Sequence, residues 1–343
     1  LQPGREATLR VFDPSSLAER DVHVRVTATE SFHVTDSVRL QPDGRWARHT
    51  VDTVPAWRIE QTVGGVEVAS WVDEDGVLVG AETPLGFVIT RTAFELARQD
   101  WQQSRGRPEL AAGYGAVIES SAIASNVALD DVANAPSLSV RLRNVNLTGL
   151  DVAGGRQELR GDTLTVRRES DNELATSYSL PYRGGGEAAQ ELAATLLMQS
   201  EDARIVKAAS EVIGDTNEPL LAARRLNDWV YGALRKEVTP SVPSALQVLE
   251  ARRGDCNEHT VLFVAMARAI GLPARSAAGL VHLRGRFYYH AWPEVWLGER
   301  WVAVDPTLGQ FPADASHLRF LVGGLARQLE LIRLIGRLQI EVV

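Results

Sequence analysis

Gly254-Asp255-Cys256-Asn257-Glu258-His259 opens a helix that runs to about Ile270. Asp255 and Glu258 have the spacing of a capping box, with Asp255 at the N-cap and Glu258 at the third helical position. Cys256 therefore falls in the first turn, where backbone N–H groups lack intrahelical partners and the helix dipole is positive. That environment favours a thiolate, the nucleophilic form of cysteine. Val261-Leu262-Phe263-Val264-Ala265-Met266 is apolar on every side, which predicts a buried helix and a rigidly held first turn. A lone cysteine is more often a small buried hydrophobe. The polar neighbours Asp255, Asn257 and Glu258 mark this one as standing at a helix mouth.

Downstream, residues 287–297 read as a strand, Gly298-Glu299 as a two-residue turn, and residues 300–305 as the returning strand. Glycine at the first central position suits a type II′ turn. If Leu297 pairs with Arg300, counting back sets Trp292 opposite Asp305 and His290 diagonal to Asp305 on the same face. Diagonal neighbours are about 7–8 Å apart, within reach of long side chains. A carboxylate there would fix the imidazole tautomer and stabilise its protonated form. His259, three residues after Cys256, could approach it from the same helix, but no carboxylate is evident to orient it, and it reads as a buried hydrogen-bonding residue. The aromatic residues Tyr288, Tyr289, Trp292, Trp296 and Trp301 read as sheet packing, with Trp292 a candidate cover for the site.

Four segments together carry a resemblance: residues 254–259; Ala269-Ile270-Gly271-Leu272-Pro273-Ala274-Arg275; Tyr289-His290-Ala291-Trp292-Pro293-Glu294-Val295; and Trp301-Val302-Ala303-Val304-Asp305-Pro306-Thr307. In order, spacing and flanking residues they resemble the transglutaminase-like superfamily, in wording closer to its bacterial members than to the animal cross-linking enzymes. The resemblance implies a papain-like α+β core, a helical part bearing the cysteine packed on an antiparallel sheet. It also implies a catalytic triad of Cys256, His290 and Asp305 working by acyl transfer through a thioester, and no cofactor. The Cys256 backbone N–H is the natural first oxyanion donor. Trp229, Tyr231 and Gln247 are unranked candidates for a second.

Working outward, the C-terminal part begins at the joint Gly184-Gly185-Gly186, where composition shifts. We therefore expect a β-rich N-terminal domain over 1–183 and a catalytic domain over 184–343. Helical patterns cover 187–198, 203–213 and 219–235, with Pro219 in a first turn and Asn217 as its cap. A short helix near 329–332 precedes a last strand that closes the sheet. The first half alternates apolar and polar residues, as in Val22-His23-Val24-Arg25-Val26, with turns at Asp43-Gly44 and Asp75-Gly76. It predicts an antiparallel meander interrupted by a helix near Phe94. Asp73-Glu74-Asp75 reads as a solvated turn, since a calcium loop needs a longer ladder of oxygen ligands.

The whole chain has 343 residues and a formal net charge of −8. With no dense Lys/Arg block, this argues against nucleic acid as a partner. A single cysteine excludes an intrachain disulfide framework and multi-cysteine zinc sites. His282, His290 and Glu294 share no ligand geometry, so no metal is expected. The expected partner is a protein or peptide substrate, with a cell-envelope partner and a membrane anchor upstream of Leu1 as further expectations, and the expected location is extracytoplasmic, periplasmic or membrane-anchored. The competing readings are a non-catalytic protein- or peptide-binding module on the same fold, with the β-rich half as a structural or docking element, and a mainly structural envelope protein.

Overall fold

Strand-forming alternation and tight turns dominate the first third of the chain, helices the middle, and a second set of strands the remainder. The computed structural model describes residues 2–13, 18–63, 66–82, 88–104, 121–129, 131–237 and 244–343. The chain divides into two compact units, Leu1–Gly113 and Tyr114–Val343.

In the first unit, β1 (Glu6–Asp13), β2 (Ala18–Leu40), β3 (Trp46–Val63), β4 (Val66–Val72), β5 (Leu78–Glu82) and β6 (Val88–Thr90) pair in sequence order as one antiparallel sheet. This is the expected meander, with hairpin turns at Asp43-Gly44 and Asp75-Gly76. At about 3.3 Å per residue, the 23 residues of β2 extend roughly 75 Å. Register shifts after Val26 and Val34 interrupt the β2–β3 ladder. The core here is small, centred on Val34, Ala56, Trp71 and Val79. The helix Phe94–Ser104 is tied to β3 by Gln99, whose side chain accepts from the Trp46 N–H at 2.7 Å and donates to its carbonyl at 3.0 Å. Asp73 is not the solvated turn residue expected. Its Oδ1 caps the N–H groups of Asp75 and Val77, and its Oδ2 accepts from Arg91 at 2.7 Å, so the side chain is drawn inward.

Among the described residues the second unit holds two larger sheets and one two-stranded pairing. β8 (Ser137–Arg143), β9 (Gln157–Arg160) and β10 (Thr163–Arg167) form a four-stranded sheet with β17 (Gln339–Val342), in the order β17-β8-β10-β9. The larger sheet runs β15-β14-β13-β16, from β13 (Ala274–Leu283), β14 (Arg286–Leu297), β15 (Arg300–Ala303) and β16 (Leu318–Val322), with β7 (Ile123–Ala124) also on β14. A two-residue parallel pairing joins β11 (Arg235–Lys236) to β12 (Arg253–Gly254), the step just before Cys256. One core cluster joins the helices Ala203–Ile213, Pro219–Ala233 and Cys256–Ala269 to the larger sheet through Leu226, Phe263, Met266 and Val295. A second joins the two sheets through Val140, Leu164, Leu280 and Phe320.

This pairing explains why the compact units divide at Gly113 and not at the three-glycine joint. β8 and β10 lie before Gly184, yet β17 completes their sheet, and Arg156 and Gln157 bond the backbone of residues 313–319. Three local expectations also change. Residues 187–198 form only the short helix Gly186–Gln190, because Glu191 and the Ala193 carbonyl turn aside to bind Arg268. Glu218, not Asn217, occupies the N-cap before Pro219, while the Asn217 carbonyl accepts from the Leu180 N–H. The final strand closes the β8 sheet and not the one that bears His290. No helix among the described residues is long and apolar enough to cross a membrane.

Candidate functional site

The helix Cys256–Ala269 starts as its sequence dictates. Asp255 Oδ1 accepts the Asn257 N–H at 2.9 Å, and Glu258 Oε2 accepts the Asp255 N–H at 2.9 Å, completing the capping box. The helix is buried from Glu258 to Arg268, so its first turn is held by the core behind it. Cys256 itself is half-buried at the front. His259 lies behind, fully buried, with Nδ1 donating to the Asp255 carbonyl at 2.6 Å. Burial dominates its environment and lowers its pKa, which suits a neutral, structural imidazole.

The β14–β15 hairpin has the register read from its turn: Leu297 pairs with Arg300, Val295 with Val302 and Glu294 with Ala303. The turn differs in type. Gly298 and Glu299 both have positive φ, +55° and +60°, which is the type I′ pattern. Glycine is needed at 298 for a second reason, since a Cβ there would sit 2.4 Å from the Glu173 carbonyl oxygen.

Past β15 the chain makes a tight loop in which Asp305 and Gln310 exchange backbone hydrogen bonds. Asp305 is fully buried with every lone pair engaged. Its Oδ1 accepts the N–H groups of Thr307 (2.7 Å) and Leu308 (3.0 Å), and its Oδ2 accepts from His290 Nε2 (2.7 Å) and His317 Nε2 (3.0 Å). Cys256 hydrogen-bonds the same imidazole whose Nε2 is held by Asp305. Cys256, His290 and Asp305 are thus brought together in that order. Burial disfavours the charged imidazole of His290, but the charge of Asp305 and of Cys256, with a hydrogen bond to each, outweighs it and raises the pKa. Burial acts the same way against the Asp305 carboxylate, and the two imidazoles more than offset it, holding its pKa well below the usual carboxylate range. Trp292 is buried beside them, stacked on His290 at 6.1 Å between centroids and edge-on to His317 at 5.1 Å.

The candidate second oxyanion donors are scattered. Trp229 lies under the Arg252 guanidinium, Gln247 caps the helix Ala245–Ala251, and Tyr231 packs its ring against Gly309 in the Asp305 loop. Glu294, considered with His282 and His290 as a ligand set, is instead enclosed by Arg275 and Arg319. Atoms of His290, Asp305 and His317 lie within 4.8 Å of one another, but direct hydrogen bonds through Asp305 Oδ2 already engage them.

His317 escaped the sequence reading. The signal that could have found it is local: Asp314-Ala315-Ser316-His317 is an Asx turn that ends against the strand Leu318–Val322. It reaches the site because Gly279, paired with His290 on one side and Arg319 on the other, has no side chain; a Cβ there would lie 1.9 Å from the Leu318 carbonyl oxygen.

Residues 206–306 match the transglutaminase-like superfamily, which is commonly of cysteine protease or transglutaminase type. Similar solved structures include a candidate cysteine protease from Cytophaga hutchinsonii, 16% identical over 60% of this chain and 83% of that one, with a TM-score of 0.41. The periplasmic domain of TgpA from Pseudomonas aeruginosa, bound to ethylmercury, is 19% identical over 52% of this chain and 74% of that one (TM-score 0.34). Red sea bream transglutaminase is 11% identical over 87% of this chain and 50% of that one (TM-score 0.24). No curated protein sequence matches the chain. The mixed α+β architecture, an N-terminal antiparallel sheet followed by a transglutaminase-like core, agrees with the sequence expectation.

Proposed function

Starting from a core of the transglutaminase-like superfamily at residues 206–306, we propose that this protein is a cysteine acyl-transfer enzyme acting on amide bonds of proteins or peptides. The observation that carries this reading is the line Cys256–His290–Asp305, running from a half-buried sulfur at the mouth of a rigid helix to a buried carboxylate.

Each member has a role its surroundings allow. Asp305 holds His290 in the tautomer that presents Nδ1 to the sulfur, and it stabilises the imidazolium. His290 takes the Cys256 proton, and the thiolate attacks the amide carbonyl carbon. The resulting oxyanion lies near the first turn of the helix, where the Cys256 N–H has no intrahelical carbonyl to bond. As the intermediate collapses, His290 Nδ1–H protonates the departing nitrogen and the C–N bond breaks, leaving a thioester. Water then attacks the thioester with His290 as base, releasing the acid and returning the proton to sulfur. A primary amine in place of water would give transamidation; hydrolysis is the outcome we favour. We place the enzyme outside the cytoplasm, in keeping with its sparing use of cysteine and its large β-rich unit.

Iodoacetamide should label Cys256 in the wild type at pH 6, and His290→Ala should slow that labelling at least about tenfold. Equal rates in the two proteins, with labelling only above about pH 8 as for an ordinary thiol, would favour the binding-module reading instead. Incubation with an unfolded protein and a fluorescent primary amine separates the two reactions. New N-termini mark hydrolysis, and amine incorporation marks transamidation.

A further inference from the structure

We propose that His317 is a positioning residue, a buried imidazolium that ties Asp305 to Asp314 and thereby sets both the orientation and the basicity of His290. The second part of this rests on the acyl-transfer reading above; the charge of His317 does not.

Donors and acceptors fix the charge of this ring. His317 is wholly buried, with Nε2 3.0 Å from Asp305 Oδ2 and Nδ1 3.2 Å from Asp314 Oδ1. An ionised carboxylate only accepts, so both ring nitrogens must carry a proton. The other solution, a protonated carboxyl, meets opposition at each end. Asp314 already accepts from the Ser316 N–H (2.8 Å), the Ser316 hydroxyl (2.6 Å) and Gln310 Nε2 (2.8 Å). Asp305 accepts from Thr307, Leu308 and His290. A neutral His317 would set a bare nitrogen lone pair against a buried carboxylate oxygen. The direction of its pKa agrees: burial disfavours the cation, but hydrogen bonds to both carboxylates, and their charge, raise the value.

The surrounding structure braces this turn as well as the triad. Arg156 Nη2 donates to the carbonyls of Ala313 and Asp314, both at 2.9 Å, and Gln157 Nε2 donates to that of Arg319. The charged groups facing the pair are Asp305, Asp314 and His290, with Cys256 beyond it. Arg156, ion-paired to Glu169, and His282 act on Asp314 from the neighbouring sheets. His259 lies on the Asp305 side, with Lys236 acting on it in turn. Asp305 and Asp314 carry two negative charges, of which an imidazolium at 317 cancels one. Without it, His290 would face an undivided Asp305 carboxylate and hold its proton more tightly, which a general acid must release.

The experiment is imidazole ¹⁵N NMR of the full chain labelled in histidine, paired with iodoacetamide kinetics on the wild type and His317→Gln, which keeps a donor and drops the charge. In the wild type, His317 should show two protonated nitrogens throughout pH 6–8; a bare nitrogen in that range overturns the proposal, and this readout needs no variant to fold. In the variant, the His290 titration and the upper inflection of Cys256 labelling should both move up by about one pH unit. A folded variant with an unchanged profile reduces His317 to a packing residue and overturns its positioning role. Labelling of Cys256 indifferent to His290→Ala would sink the enzymatic reading alone, leaving the imidazolium to be judged by its spectrum.

Discussion

Arg10 and Glu19 face each other across β1 and β2 with 70% and 65% of their side chains in water, whereas Arg275 and Arg319 enclose Glu294 with exposures of 8%, 6% and 2%. The contrast runs through the two units. Charges on the first sheet mostly sit on exposed strands, where the Coulomb gain is small and screened. In the second unit several of them act as internal framework: Arg156 with Glu169, Arg268 with Glu191, and the Asp305–His317–Asp314 chain. A buried pair is not worth much over a well-packed apolar substitute, but losing half of one leaves an uncompensated charge. The chemistry of the second unit is therefore seated in a part of the molecule where single polar substitutions should be severe.

The sharpest way to break this contrast is Glu294→Ala, which removes the buried carboxylate shared by two guanidinium groups, leaving Arg275 only the exposed Glu187 and Arg319 only backbone carbonyls. It should cost about 3–5 kcal/mol in urea unfolding followed through the helix Cys256–Ala269, and a loss under about 1 kcal/mol would mean that those arginines reach water. Changing pH should have a smaller effect. The imidazolium contributions of His290 and His317, whose pKa values are raised on folding, are complete below the ordinary value near 6.5 and are lost as pH rises through the folded values. His259 and His282, lowered on folding mainly by burial, contribute above that point and lose stability as pH falls through it. The second unit should thus be most resistant to urea near pH 6.5, with a lower midpoint at 5.5 and at 8.5; a midpoint still climbing at 8.5 would contradict the imidazolium assignment. At the small end, Glu19→Ala should change the unfolding of the first unit by no more than about 0.5 kcal/mol.

Much of this was written locally. The capping box at Asp255 and Glu258 and the pairing of Leu297 with Arg300 are neighbour relations, fixed within a turn or two of chain; they set Cys256 in its first turn and His290 near Asp305, while the packing of the helix on the sheet joins the two. What escaped depends on distant chain. His317 gains its meaning from Asp305, twelve residues back, and from the missing side chain of Gly279. The unit boundary moved because β8 and β17 pair across the intervening helices, and no periodicity records that. Residues 187–198 have a helical pattern that tertiary bonds to Arg268 override. The turn type changed because a glycine first position is compatible with both primed turns, and Glu299 had to accept a positive φ.

The pairing of β8 with β17 also sets a schedule. Arg141 and Glu341, which meet across those strands, are 200 residues apart. At about 5–20 residues per second, a ribosome takes roughly 10–40 s to travel between them. In the last part of that interval the nascent chain carries both its thiol and the imidazole of His290, while β8 still waits with an open edge for β17. Asp314 and His317 follow His290 by 24 and 27 residues, so the frame that seats the triad is translated after the thiol and the imidazole it serves.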